Sequence, residues 1–386
     1  MKKKWGVVTI SFILFLPFCW AEFSFGSLYR VLTILLMMVM LVKSGGIFFI
    51  NSENKKAFFA FLIYCIFSSV TMIWNEDFNA GLINAMGMIL LLIILVSFAT
   101  EKFDKEYQKK LEVSWVITGI LSALLFIFGE RSKVGIYGSR TSLQILGTAT
   151  DPNEFAGLFV LTIGFTGILF LEEKKILKKL LLGIVIIVEL YVVLILGSRG
   201  ALISAFCSLL LTLLFTKKVS IKTIIKLFIL CVILFFVVHK FILPLIPEDI
   251  LNRLTLVALV KDKGSGRSDI WIDAINQMLN GSIFNLFFGH GIDGVSAGTF
   301  YVTNTMHNQL IQNFVCYGII GTILYLNYII KSFSLLYKYN KKYLGIFLGI
   351  MIMSMTITMG PSYKPLWIFM NMIFVHYKCL DKEESR

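Results

Sequence analysis

The feature that most limits how this chain can fold is a series of long apolar runs separated by short polar segments. A helix crosses a bilayer core with roughly 20 apolar residues. With 57% hydrophobic and only 15% charged residues, the chain has too much apolar surface for a soluble globule. The pattern predicts an all-α, polytopic integral membrane protein with about 12 transmembrane helices, a single transmembrane domain spanning residues 1–386. The predicted spans are 5–21, 28–42, 57–74, 79–99, 112–129, 153–171, 181–197, 200–216, 226–243, 307–330, 345–360 and 366–378.

The charged residues between the runs predict which side of the membrane each segment faces. Lys2, Lys3 and Lys4 place the N-terminus in the cytoplasm, because cytoplasmic segments are enriched in Lys and Arg. Twelve spans return the C-terminus to the same side, and 25 of the 36 Lys and Arg residues then fall inside. The net charge of +13 is therefore a topology signal rather than a sign of nucleic-acid binding. A basic start before an apolar run is also typical of a signal peptide, but the residues after Cys19 make a poor cleavage site, which favours a retained helix.

Arginine is distributed differently from lysine in this topology. Only one of the seven arginines, Arg386, lies inside. The positive-inside rule treats Lys and Arg alike, so it does not explain this asymmetry. Arginine binds phosphate or carboxylate through two parallel hydrogen bonds, which predicts an outward-facing site for an anionic group, most simply phosphate. The alternative is anchoring at the membrane interface, which we favour for Arg30. The outer arginines are Arg30, Arg131, Arg140, Arg199, Arg253 and Arg267.

The longest predicted connection is the outer loop 244–306, which is long enough to form a small subdomain. Residues 248–260 are predicted to form a short amphipathic helix. A second helix is predicted to begin with Ser268 as its N-cap, to end before Gly281 and to lie on the membrane with Trp271 facing down. Arg267 would lie at its N-terminus, where free N–H groups attract anions.

The sequence GHGIDG at 289–294, which includes Asp293, matches a dinucleotide-binding pattern in spacing only. No βαβ unit surrounds it, so we predict a tight turn.

Polar residues also mark the mouths of several predicted spans. His307 and Asn308 open span ten after Thr305, a candidate N-cap, and His307 is predicted to be either a general base that orients a hydroxyl or an ordinary interfacial residue. The hairpin around Arg199 holds this arginine at the outer membrane boundary. Asp151 and the residues that follow it match a helix start signal, with Asp151 as cap and Pro152 in the first turn.

Glu189 is the one acid well inside a predicted span, which makes it a functional candidate by default. It could pair with an arginine or take up a proton. Its depth argues against direct contact with a sugar.

Five motifs together carry a family resemblance. They are DPNEFA at 151–156, LGSRGALI at 196–203, SGRSDIW at 265–271, FGHGIDG at 288–294 and HNQLIQNFVCYGIIG at 307–321. In their order and spacing the chain resembles the O-antigen polymerase and ligase superfamily of bacterial integral-membrane glycosyltransferases. The resemblance covers about 150–325 well, and the first 130 residues only through topology.

The resemblance implies a GT-C-like helical fold in the bacterial cytoplasmic membrane and an undecaprenyl-diphosphate-linked oligosaccharide as donor on its outer face. It implies that His307, Arg199 and Arg267 are catalytic and that Arg199, Arg267, Arg140 and Arg253 bind the diphosphate. No metal, nucleotide sugar or other cofactor is expected. A flippase and a chain-length regulator are candidate protein partners. The supporting residues would be Asp151, Asn153, Asn308, Asp293 and Glu189.

Three functions compete at this point. The favoured one is a polymerase that joins lipid-linked repeat units into capsule, exopolysaccharide or O-antigen. The second is a ligase that transfers a lipid-linked glycan to another acceptor, and the motifs barely separate the two. The third is a polysaccharide flippase or transporter, for which we would expect internal repeats and charges near the bilayer midplane.

Overall fold

The structure is a computed structural model that describes residues 6–23, 26–48, 50–100, 104–134, 140–216, 240, 266–292, 305–361 and 363–375. The predicted span 226–243, apart from Lys240, and the predicted helix 248–260 lie outside these residues, as do both chain ends. The described chain is mostly helical. Its helices are α1 (Gly6–Leu14), α2 (Leu28–Ser44), α3 (Lys55–Val70), α4 (Phe78–Thr100), α5 (Lys105–Phe128), α6 (Pro152–Glu172), α7 (Ile176–Ile195), α8 (Arg199–Thr216), α9 (Arg267–Asn280), α10 (Ile283–Phe288), α11 (Gln309–Tyr339), α12 (Leu344–Ser354) and α13 (Lys364–Met372).

Six helical segments among the described residues are long and apolar enough to cross a membrane. Where the structure describes them, the predicted spans 5–21, 345–360 and 366–378 contain the α-helices α1, α12 and α13, of 9, 11 and 9 residues, and a 3-10 helix follows α1 at Leu16–Phe18. At about 1.5 Å per residue, each is shorter than a bilayer core. The prediction of a helical protein with several membrane spans is thus confirmed, whereas the count of twelve spans is not confirmed. The six segments are Lys55–Trp74, Phe78–Thr100, Lys105–Phe128, Pro152–Glu172, Arg199–Thr216 and Gln309–Tyr339.

The prediction of an all-α chain misses two small antiparallel sheets. Strands β1 (Glu22–Phe23) and β2 (Gly26–Ser27) form one. Strands β3 (Arg131–Val134), β4 (Arg140–Ile145) and β5 (Thr148–Ala149) form the other, in the order β3-β4-β5. The second sheet folds the segment between α5 and α6, and it places Arg140 and Asp151 at the same end of the helical bundle.

The N-termini of α6, α9 and α11 show which of the predicted helix caps are present. Asp151 caps α6 as predicted: its carboxylate accepts hydrogen bonds from the backbone N–H groups of Asn153 (2.8 Å) and Glu154 (3.0 Å). The predicted cap Thr305 is wrong, because Asn308 caps α11 by accepting from the N–H groups two and three residues later. Ser268 is also not a cap, since α9 begins at Arg267 after a left-handed Gly266.

Helix α6 forms the centre of the bundle. It packs against α5, α7, α8 and α12, and nearly all of its residues are buried. Trp115 of α5 stacks on Phe165 of α6, with ring centroids 5.1 Å apart. Small residues let α8 and α12 approach closely, as is common between membrane helices: a Cβ at Gly345 would overlap the backbone of Thr212.

The end of α6 away from Asp151 is held by an ion-pair network. Lys342 Nζ lies 2.6 Å from Glu112 and 2.9 Å from Glu172, and Lys109 Nζ lies 2.6 Å from Glu172. These pairs join α5, α6 and the segment before α12. Glu112 is fully buried, and the hydroxyl of Tyr343 also donates to it at 2.8 Å. Pairing on several sides offsets the cost of burying this charge.

The contact between α8 and α12 generates a test of packing. We expect Gly345→Ala to lower the unfolding temperature in detergent, because the added methyl group meets backbone rather than a movable side chain. Gly183→Ala is the matched control, since its Cβ would meet only a side-chain atom of Phe170 at 3.6 Å. An equal unfolding temperature for the two variants would contradict the close approach.

Candidate active site

A cavity of about 350 Å³ opens where α6 and α11 begin. We call it the mouth cavity. Its walls come from α3, α4, the starts of α6 and α11, the turn after α10, the segment 357–361 and α13. Its polar and aromatic lining is Asp151, Glu154, Thr305, His307, Gln309, Gln312, Asn313, Asn84, Thr358, Tyr64, Tyr317 and Trp367.

His307 lines this cavity in an unusual backbone conformation. Its φ is +49°, which is rare for a residue other than glycine and costs on the order of 1–3 kcal/mol. The next residue, Asn308, caps α11, so the strained residue is held between a fixed helix start and residue 306. The hydroxyl of Thr305 lies 3.3 Å from Nε2 of His307. Such strain is often retained where a side chain must point in one direction.

Three charges lie close enough to His307 to alter its titration. Burial lowers the pKa of the imidazole below its ordinary value, and the positive charges of Arg267 and Arg140 lower the pKa further. Asp151 acts in the opposite direction and raises the pKa. The net shift is downward, so His307 is neutral near pH 7 and is able to accept a proton. The structure thus brings together four of the residues selected from the sequence.

Helix α9 places Arg267 beside His307. The indole Nε1 of Trp271 donates a 2.7 Å hydrogen bond to the carbonyl oxygen of Met306. Arg267 precedes Trp271 by four residues and therefore lies on the same face of α9.

The prediction that Trp271 faces the membrane is wrong, because its ring turns toward the protein. The exposed apolar side chains of α9 are Ile272, Ile275 and Leu279.

The turn after α10 is fastened to a break in α11. Gly318, with φ +63° and ψ −164°, interrupts this helix. The backbone N–H of His290 donates to the carbonyl of Val315, and that of Gly291 donates to the carbonyl of Cys316, both at 2.9 Å. A Cβ at Gly289 would overlap the backbone of Cys316. The tight turn predicted here is confirmed for the described residues up to 292, with positive φ at Gly289 and Gly291.

Arg199 lies at the N-terminus of α8. It begins α8 and is half-buried. The next residue, Gly200, packs directly against Thr356. Asn308 reaches the same segment, because its Nδ2 donates to the carbonyl of Met355 at 3.4 Å. The charge of Arg199 is not among those that shift the pKa of His307. Its assignment as a catalytic residue stays a prediction.

The remaining site residues predicted from the sequence lie in three different places. Asn153 and Asn308 are buried at the mouths of α6 and α11. Glu189 is buried in the bundle beside Gly119 and Thr162, and Thr162 is about 16 Å along α6 from Asp151 at 1.5 Å per residue. Glu189 therefore does not belong to the mouth cavity. Arg253 and Asp293 lie outside the described residues.

The sequence analysis did not select several polar residues that line the cavity, among them Glu154 and Asn313. Glu154 accepts a 3.1 Å hydrogen bond from the indole of Trp20. Its position three residues after Asp151, on the same helix face, was an available signal. Asn313 is fully buried on the cavity wall of α11, four residues after Gln309. The four-residue spacing of Gln309 and Asn313, which places both on one helix face, was also visible in the sequence.

Residues 182–326 match the O-antigen ligase family model. The matched stretch contains Arg199, Arg267, His307, Asn308 and the glycine break at 318, and it confirms the resemblance predicted for that part of the chain. It supports an O-antigen ligase or polymerase type of function for a membrane-embedded protein. No curated protein matches the sequence.

The charges around His307 generate a test that does not depend on any assay of activity. We expect NMR titration of histidine-labelled protein to give His307 a pKa below its ordinary value. Asp151→Asn should lower that pKa further, whereas Arg140→Gln should raise it. The chain has four histidines, so His307→Gln identifies the signal. Shifts in the same direction for both variants would contradict this arrangement.

We call the contact between residues 289–291 and residues 315–318 of α11 the joint, and it generates a second test. We expect Gly289→Ala to reduce the yield of folded protein strongly, because the new methyl group would overlap the backbone of α11. Gly147→Ala is the control: Gly147 has φ +82° but nothing within 4 Å of its Cβ position. The control isolates the cost of the backbone conformation, which is roughly 1 kcal/mol. Equal losses in the two variants would mean that the joint adds nothing.

Proposed function

We propose that this protein is a polymerase that joins undecaprenyl-diphosphate-linked oligosaccharide repeat units on the outer face of the bacterial cytoplasmic membrane. The observation that carries the proposal is the group formed by His307, Arg267, Arg140 and Asp151 at a cavity on the helix mouths. A neutral imidazole beside two guanidinium groups suits a reaction that takes a proton from a hydroxyl and releases a diphosphate. The O-antigen ligase match over residues 182–326 adds independent support.

In the proposed reaction the donor diphosphate binds to Arg267 and Arg140. Arg199, at the N-terminus of α8, is a third ligand of the diphosphate in this proposal. Arg253 is a further candidate ligand that lies outside the described residues. The lipid tail lies in the bilayer against the membrane-spanning helices. Arginine suits this role because its planar group pairs with two phosphate oxygens at once. Its charge also stabilises the negative charge that develops on the leaving diphosphate.

The acceptor occupies the mouth cavity. A sugar hydroxyl of the acceptor attacks the anomeric carbon of the donor glycan, and His307 takes the proton of that hydroxyl. The bond between the anomeric carbon and the phosphate oxygen breaks, and its electron pair leaves with the lipid diphosphate. One glycosidic bond forms for each one broken. Asp151 supports the protonated imidazole through its negative charge.

The second candidate is ligation of a finished glycan to another acceptor, which the description of the matched family favours. The same residues would act on the donor, and only the acceptor would differ. A transporter is the remaining alternative.

A strain that lacks the gene separates these functions. Complementation with the wild-type gene is expected to restore long-chain polysaccharide. Normal chain length without attachment to a final acceptor in the deletion strain would favour the ligase. Lipid-linked repeat units trapped on the inner leaflet of that strain would contradict both and favour a transporter.

Point variants then test the site. We expect His307→Ala to lower polymer formation by roughly 100-fold or more, because the general base is lost. Arg267→Ala should cause a comparable loss through the leaving diphosphate. Arg131→Ala is the control: this arginine of β3 is exposed, and its guanidinium lies over the ring of Phe126. Near-normal polymer from both His307→Ala and Arg267→Ala, at equal protein levels, would overturn the assignment.

A further inference from the structure

The wall of the mouth cavity on α11 carries a chain of buried side-chain hydrogen bonds. Asn313 is fully buried, and its Oδ1 accepts from the Tyr64 hydroxyl at 3.1 Å and from Gln309 Nε2 at 3.0 Å. Its Nδ2 has no hydrogen-bond partner among the described residues. The side chain lines the cavity. Asn313 therefore holds an unused buried donor in the wall of the cavity that His307 also lines.

The orientation of this amide is fixed by the backbone. The N–H of Met359 donates to Gln309 Oε1 at 2.6 Å, so this end of the Gln309 amide must be the oxygen. The other end, Nε2, is then a donor and requires an acceptor on Asn313. Oδ1 of Asn313 faces Gln309 for that reason, and the unused group is the NH₂. A buried donor without a partner has lost its hydrogen bonds to water, and a ligand oxygen would restore one of them.

The surroundings indicate the chemistry of that ligand. Asn84 and Gln312 add two neutral amides to the wall, and Tyr64, Tyr317 and Trp367 add aromatic rings. Among the described residues that line the cavity, the charged side chains are the acids Asp151 and Glu154, and none is a lysine or arginine, so the lining disfavours an anion. The arginines that affect His307 lie outside the lining. This division fits a diphosphate that binds outside the lining and a neutral, hydroxyl-rich ring within the cavity.

We infer that the α11 wall of the mouth cavity is a binding subsite for a neutral sugar ring of the acceptor glycan, with Asn313 Nδ2 donating a hydrogen bond to one of its hydroxyl or carbonyl oxygens. The inference rests on the proposed function, because it assigns the acceptor to the cavity that contains His307. Gln309 and Tyr64 are positioning residues, since they act by orienting the Asn313 amide. Amide donors and aromatic faces together fit the polar edge and the apolar face of a sugar ring.

The test uses purified protein in lipid nanodiscs and the oligosaccharide repeat unit released from the host's own lipid-linked intermediates. This probe has no lipid and no diphosphate, so it lacks the groups through which the arginines would bind the donor, and the Asn313 variants test how much of its binding depends on the cavity wall. Binding is measured by saturation-transfer NMR. Asn313→Asp keeps the shape of the side chain but replaces the donor, and Asn313→Ala removes it. Both are expected to weaken binding roughly ten-fold or more, the effect of an unpaired polar group. Asn371→Asp, in a buried position of α13 outside the cavity lining, should leave binding unchanged.

A second measurement uses the wild-type protein, which covers the case in which the Asn313 variants fail to fold. A series of repeat units, each lacking one hydroxyl or one acetamido group, is titrated into the protein. One member of the series should bind roughly ten-fold more weakly than the complete unit, as expected when Nδ2 loses its acceptor. Equal binding across the whole series would overturn the subsite.

The outcomes separate the subsite from the proposed function. Suppose that the wild-type protein forms polymer but the Asn313 variants bind the repeat unit as tightly as wild type. That result would overturn the subsite alone, and Nδ2 would then be hydrogen-bonded only to water. Wild-type protein that neither binds the repeat unit nor forms polymer would overturn both. A rise in the acceptor KM with unchanged kcat and unchanged donor KM in Asn313→Asp would support a binding role for this residue.

Discussion

Two backbone hydrogen bonds join the surface helices of this protein to its membrane core. They run from residues 290 and 291 to the carbonyls of residues 315 and 316, next to the glycine break in α11. An unbroken helix would use those carbonyls internally. Because α11 is interrupted, its backbone can hold a loop at a fixed position. The glycines at 289 and 318 let the two backbones approach more closely than a side chain would allow.

The candidate site depends on this joint. α10 is attached directly, and α9 is attached both through α10 and through the Trp271 hydrogen bond to residue 306. That bond places Arg267 next to His307, whose own backbone is held by the start of α11. Arg267, the proposed phosphate ligand, and His307, the proposed general base, therefore come from different elements but share one support. On the opposite side, Asp151 is held by the cap of α6, and Arg140 by the sheet between α5 and α6.

Much of this arrangement was predictable from the sequence, and the exceptions have physical reasons. Hydropathy indicates where helices pass through lipid, and the start of α6 has a cap and a proline that fix it locally. The count of twelve spans stays unconfirmed, because an apolar run such as 345–360 does not reveal where its helix stops and most of the predicted span 226–243 lies outside the described residues. The sheet between α5 and α6 was missed because its strands are short and partly polar. Asn313 was missed because the sequence does not show which way each of the amides at 308, 309, 312 and 313 faces; the orientation of the Asn313 amide depends on Gln309 and Met359.

The joint also has a consequence for the order in which the protein is made. Residues 289–291 leave the ribosome before residues 315–318, so the loop is available when the broken helix enters the membrane. A bilayer offers no water to satisfy exposed backbone groups. The backbone N–H groups of residues 290 and 291 have therefore already been synthesised when the carbonyls of residues 315 and 316 enter the membrane. In a chain cut between these two segments, the second half would enter the membrane without that partner, and separately expressed halves should recover function only if they are inserted together.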